Sequence, residues 1–185
     1  MRKLALLFPL CLSLLLSGCG YNAMQAQDEG VKAAWGEVIN QYQRRADLVP
    51  NLVNTVKGYA AQEKDVLLGV TEARSKVGSI NVTPDMINDE AKLKQFGQAQ
   101  GELSAALGRL LSVTENYPDL KSNANFMALQ SQLEGTENRI AIARRDYNEA
   151  VQGYNTRIRT FPDAIGAKVF YGAKPKVPYQ ATTPG

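Results

Sequence analysis

Apolar residues recur seven positions apart along most of this chain. Val49, Val56, Val70 and Val77 fall on one line with Glu63 between them, and Leu52, Tyr59, Val66 and Ala73 form a second line beside it. Phe96, Leu103, Leu110 and Tyr117 repeat the spacing, accompanied by Leu93, Leu107 and Val113. Phe126, Leu133, Ile140, Tyr147, Tyr154 and Phe161 then keep it over six successive positions. Further upstream, Val31, Trp35, Val38 and Tyr42 stand at helical spacing. A repeat of 3.5 residues stays on one side of an α-helix only if the helix winds slowly about its neighbours, so the pattern predicts helices packed at shallow angles with a left-handed twist.

Residues with a steric reason to start or stop a helix separate the stripes. Asp47-Leu48-Val49-Pro50 places an N-cap type residue ahead of a proline, as in the first turn of a new helix. A continuous helix from Asn22 to Val77 would run ~84 Å at 1.5 Å per residue, longer than its later partners, so a reversal or strong bend is expected near Pro50. Gly78 to Val82 reads as a loop, Thr83-Pro84-Asp85 as a helix start and Tyr117-Pro118-Asp119 as a stop. The expected fold is all-α, an antiparallel four-helix bundle with heptad-type packing, its helices near 22–46, 48–78, 84–117 and 121–161. The bundle domain is placed at 22–162. Residues 163–185, after one short turn through Ala167, form a proline-containing extension expected to be extended and partly disordered. Glycines inside the helices, among them Gly58, Gly69, Gly97, Gly101, Gly108, Gly135 and Gly153, are read as points of close helix contact, because each otherwise costs ~1 kcal/mol relative to alanine.

The N-terminus follows a different pattern. Arg2 and Lys3 precede an apolar run from Leu4 to Leu16, and Ser17-Gly18 supply the small residues that a peptidase requires before Cys19. This resembles a bacterial lipoprotein signal: residues 1–18 would be the leader and 19–21 the lipidated N-terminus, with Cys19 the acylated, palmitate-bearing residue. An ordinary secretory signal with an incidental Cys19 is the alternative. As an uncleaved anchor the run is short of the ~20 apolar residues that span a bilayer, and Pro9 interrupts it. Two or more acyl chains, at ~0.8 kcal/mol per buried CH₂, hold a protein durably to a membrane. The expected location is therefore the bacterial cell membrane or outer membrane, facing the periplasm or exterior. Gly20 stands where an aspartate would retain a lipoprotein at the inner membrane.

Composition narrows the chemistry. Loss of Arg2 and Lys3 with a leader takes the 21 basic residues to 19 against 18 acidic, which offers no electrostatic case for nucleic acid. With Cys11 in the leader and Cys19 acylated, no thiol pair remains for a disulfide. The chain has no histidine, so the commonest general base, the commonest zinc ligand and every Ser-His or Cys-His nucleophile are missing. No catalytic residue, metal or cofactor is assigned.

Polar residues within or beside the stripes are the remaining candidates. Glu63 occupies a stripe position, while Glu137 and Arg144 lie seven apart next to the Leu133, Ile140 and Tyr147 row. Buried charges require partners, so a network of Glu63, Glu137 and Arg144 with Asn138 and Asn148 is expected to fix helix register. The alternative function for the same residues is a slot for a cation or small ligand. Gln43-Arg44-Arg45-Ala46-Asp47 and Arg144-Arg145-Asp146 read as solvated faces, with anionic headgroups as an alternative partner. Trp35 and Tyr42 read as core.

Several long strings resemble the LemA family. Residues 35–53 run Trp-Gly-Glu-Val-Ile-Asn-Gln-Tyr-Gln-Arg-Arg-Ala-Asp-Leu-Val-Pro-Asn-Leu-Val, followed by Val56-Lys57-Gly58-Tyr59-Ala60. Leu107-Gly108-Arg109-Leu110-Leu111, Glu115 to Lys121, Leu133 to Ile140, Ala143 to Asn148 and Phe161-Pro162 continue the match over about residues 21–180. The resemblance implies a four-helix bundle in bacterial envelopes with no settled activity and no catalytic residues to carry over. It also implies a protein partner, a TPM-domain membrane protein being the best guess. Many relatives carry a transmembrane helix where this chain has Cys19. The function expected is thus a lipid-anchored, non-enzymatic interaction or scaffold protein.

Overall fold

The computed structural model describes residues 2–169 and 171–180, with side chains from Gly20 onward. The described chain is all-helical. The order is α1 (Arg2–Lys57), α2 (Lys64–Gly78), a 3₁₀ turn (Pro84–Asn88), α3 (Glu90–Thr114), the single turn α4 (Pro118–Lys121), α5 (Ala124–Arg157) and α6 (Asp163–Val169). Starts are set by local chemistry: Asp89 accepts from the Lys92 amide and Asn123 from the Phe126 amide, each satisfying an amide that the helix itself leaves free. Pro118 sits in the first turn of α4, where no amide donor is needed.

Cross-helix pairs fix the directions. Tyr59 meets Asn123, Arg45 meets Glu137, Gln41 meets Arg139 and Trp35 meets Tyr147, so α1 and α5 run antiparallel along most of their shared length. Lys76 to Glu102 and Gln62 to Tyr117 set α2 antiparallel to α3. Trp35 to Phe96 and Arg45 to Ser104 set α3 parallel to α1. The interior falls into two stacked clusters. One gathers Val31, Trp35, Val38 and Tyr42 of α1 against Phe96 of α3 and Ile140, Tyr147 and Tyr154 of α5. The other joins Val49, Leu52 and Val56 to Val70, Leu103, Leu110, Phe126 and Leu133.

Three expectations change. No reversal occurs at Pro50; α1 continues to Lys57 and the chain turns over 58–63 instead. Proline removes the amide that would bond the Ala46 carbonyl, but Arg74 of α2 fills that acceptor from Nε at 2.9 Å, and the helix survives. Phe161 leaves the stripe: α5 ends at Arg157, the phase is lost, and the ring is 82% exposed. The helical glycines do not all mark close contact, since a Cβ added at Gly69, Gly108 or Gly153 would meet nothing within 4 Å.

The extension is extended, yet it is docked. The Val177 amide bonds the Ile87 carbonyl at 2.9 Å, and Tyr179 lies in the core among Trp35, Tyr42 and Phe96.

Candidate functional site

Arg45 is the most buried charged side chain among the described residues. Tyr42, Arg45, Ala46 and Val49 follow the helical spacing of one inward face, and the guanidinium is 1% exposed, contrary to its reading as part of a solvated patch. Its Nη1 donates to Ser104 Oγ at 2.6 Å and to Glu137 Oε1 at 3.0 Å, and Nη2 donates to Gln100 Oε1 at 2.6 Å and the Gln100 carbonyl at 3.0 Å. The cation also lies 5.0 Å from the centre of the Tyr42 ring. One side chain from α1 thereby ties α3 and α5. Arg44, its neighbour, is exposed, because adjacent helical side chains point about 100° apart. The signal for Arg45 was thus its phase relative to Tyr42 and Val49.

A second polar assembly holds the extension. Asn148 and Asn155, seven apart on α5, each clamp one extended residue through both its amide and its carbonyl. The Tyr179 amide donates to Asn148 Oδ1 at 2.8 Å and Asn148 Nδ2 returns to the Tyr179 carbonyl at 3.0 Å. Lys176 and Asn155 repeat the pattern at 2.8 Å in both directions. Tyr147 donates to the Val177 carbonyl at 2.7 Å, and the Tyr179 and Tyr42 hydroxyls are 2.9 Å apart. Lys176 Nζ pairs with Asp28 at 2.8 Å, which fastens the strap to α1.

These environments move proton affinities. Burial pushes the Tyr179 phenol well above its ordinary value, the Tyr42 hydroxyl adds to this, and the Arg144 and Arg45 cations oppose it. Burial alone raises Tyr147. Burial works to raise the Asp28 carboxyl, but bonds to Lys176 and Lys32 outweigh it and hold it below the usual carboxylate range.

The residues expected to share one network are distributed over three places. Glu137 joins Arg45 and is 43% exposed. Glu63 stands immediately before α2, beyond the end of α1, and its carboxylate accepts from the Tyr117 hydroxyl at 2.7 Å. Lys57 lies twelve residues past Arg45, about 18 Å along the helix. Arg144 covers the Tyr179 ring at 5.0 Å and Asn148 grips the same residue, while Asn138 is exposed. The side chain of Cys19 lies outside the described residues. Arg45, Gln100, Ser104, Asn155, Lys176 and Tyr179 are the polar members that pattern reading missed.

An open groove of about 500 Å³ runs beside Tyr42, Arg74, Phe96 and Gln100 between α1, α2 and α3. No group of three or more His, Cys, Asp or Glu side chains placed to hold a metal occurs among the described residues. None of the described helices is long and apolar enough to cross a membrane.

Fold and polar architecture define an all-α domain whose cross-helix charges and C-terminal strap hold its long helices in register. The chain belongs to the LemA family, whose family model matches residues 34–184, strap included. Magnetosome protein MamQ 2 of Paramagnetospirillum magneticum is 29% identical over 158 residues, covering 77% of this chain and 58% of that protein. MamQ of Magnetospirillum gryphiswaldense is 27% identical over 158 residues with the same coverage of 77% and 58%. Protein LemA of Metamycoplasma hominis is 28% identical over 118 residues, 64% of this chain and 49% of its own length. The chain thus spans less than two thirds of these relatives.

Proposed function

We propose that this chain is a lipid-anchored, non-enzymatic interaction or scaffold protein of the bacterial envelope. Its helices α1, α2, α3 and α5 act as a four-helix bundle held to a membrane through Cys19. The observation that carries this reading is the closeness of the anchor to the core. Met24, five residues past Cys19, is already buried, so no flexible linker separates the acylated residue from the folded body. A tether at Cys19 would present one end of the bundle to the bilayer and hold the far end, around the 58–63 and 115–123 turns, in reach of partners.

Support for a non-catalytic role comes from where the charges are used. Arg45, Glu137, Glu63 and Asp28 are each engaged by another part of the same chain. The magnetosome relatives are named for a cellular structure and not for a reaction.

The test is crosslinking in intact membranes followed by pull-down, comparing the wild type with Cys19→Ser. The proposal expects envelope proteins recovered with the wild type and a loss of both membrane retention and those neighbours in the variant. Undiminished membrane retention of Cys19→Ser would reject the tether.

A further inference from the structure

We infer that α6 and the turn before it form a membrane-contact surface seated on an anionic bilayer beside the anchor. The inference rests on the anchored reading of the N-terminus. Nine large apolar or aromatic side chains are exposed among the described residues, and five of them, Tyr21, Phe161, Ile165, Val169 and Tyr171, lie at one end of the molecule.

Contacts place Tyr21 and Tyr171 beside α6, which carries Ile165 and Val169. The Tyr21 and Tyr171 rings are 4.5 Å apart, a Cβ on Gly20 would come within 2.6 Å of Asp163 Oδ1, and a Cβ on Gly166 within 3.1 Å of the Tyr171 ring. The start of the described α1 side chains, α6 and the following turn therefore pack as one end face. Ala167 is buried on the inner side of α6. Ile165 and Val169 stand four apart on the outer side of α6, 54% and 67% exposed, and Phe161, in the turn before it, is 82% exposed. Apolar side chains this open have no covering partner among the described residues.

Position and charge both favour a lipid surface as the occupant of this face. Asp163, in the first turn of α6, lies beside Gly20, the residue next to Cys19, so acyl chains on that cysteine would enter the bilayer alongside α6. After Glu149 the chain carries five basic residues and a single acid, Asp163. Arg157 is committed to Asp163 at 2.7 Å and Lys176 to Asp28 at 2.8 Å. Arg159 and Lys168 flank the apolar residues in sequence and are exposed, as is Lys174 after them. Apolar side chains flanked by free cations match the layering of an anionic interface, where rings and aliphatic groups enter the headgroup region and basic groups meet phosphates.

The test uses the full chain, expressed with its own leader and reconstituted in vesicles of phosphatidylcholine and phosphatidylglycerol containing a photoactivatable diazirine lipid. After illumination, tryptic peptides are read by mass spectrometry. Lipid adducts on the 160–168 peptide are expected to exceed those on the 122–139 peptide, from the opposite end of α5, at least fivefold. The excess should shrink severalfold in Phe161→Ser/Ile165→Ser/Val169→Ser and in vesicles lacking phosphatidylglycerol. Equal adduct yields on the two peptides would overturn the inference, as would a dimer that the triple variant abolishes, since a second copy would then own the face. The same digest reports the N-terminal peptide. Acylated Cys19 without adducts at 160–168 rejects this surface alone, whereas an unmodified Cys19 rejects the tether whatever the adducts show.

Discussion

Arg74 on α2 donates from Nε to the Ala46 carbonyl on α1 at 2.9 Å, and that carbonyl is the acceptor that Pro50 leaves without an amide. A proline thus becomes a docking point between helices. Unsatisfied, a carbonyl in this partly enclosed position costs about 1 to 3 kcal/mol. Arg74→Met is expected to lower stability by that amount in chemical denaturation. Pro50→Ala restores an amide to bond Ala46, so Arg74→Met should cost clearly less in the Pro50→Ala background. Equal costs in both backgrounds would contradict the coupling.

Arg45 and Glu137 should respond unequally to truncation. Arg45→Ala removes four hydrogen bonds and leaves a cavity among three helices, which is expected to cost at least about 3 kcal/mol. Glu137→Gln keeps an acceptor on a half-exposed side chain while the guanidinium retains Gln100 and Ser104, and about 1 kcal/mol is expected. Thermal unfolding of the two variants checks the order. A milder Arg45→Ala would mean that the brace adds little.

The strap makes stability depend on pH at both extremes. Tyr179 and Tyr147 titrate near 10.0 when exposed but higher in the fold, so the folded state holds their protons more tightly. Their contribution is complete below about pH 10 and is lost as pH rises beyond it. Asp28 has the opposite sign: its folded value lies below 3.8, so its contribution is complete above about pH 4 and is lost as pH falls further. Tyr179→Phe should flatten the alkaline limb of a melting-temperature profile and leave the acid limb, and Asp28→Asn should do the reverse.

Gly108 and Gly153 are exposed helical glycines with open space where a Cβ would stand. Gly108→Ala and Gly153→Ala are each expected to stabilise the protein by about 0.5 to 1 kcal/mol, through lower backbone entropy in the unfolded chain. A loss of stability in either would indicate a contact that the fold does not contain.

The stripes were legible because the core is built on one repeating relation: Phe126, Leu133, Ile140, Tyr147 and Tyr154 are all buried at the spacing the sequence displays. What escaped that relation depended on partners far away in the chain. Pro50 obeys a local rule for helix starts, but Arg74, 28 residues from Ala46, supplies the missing donor and overrides it. Lys176-Val177-Pro178-Tyr179 lacks any helical or strand period, because its backbone is held mostly by the side chains of Asn155, Tyr147 and Asn148. Glu63 kept the heptad phase of its neighbours, yet the turn over 58–63 breaks that phase before α2 begins. The polar residues of the brace and strap were therefore readable only in part: Asn148 and Glu137 were singled out, and their true partners, Tyr179 and Arg45, were not.

Mass spectrometry of the protein isolated from its native membranes reads the tether at Cys19 itself. The expected N-terminal peptide begins at Cys19, followed by Gly20 and Tyr21, with its cysteine carrying acyl chains. An unacylated Cys19, or a leader still attached through Met1, would contradict it.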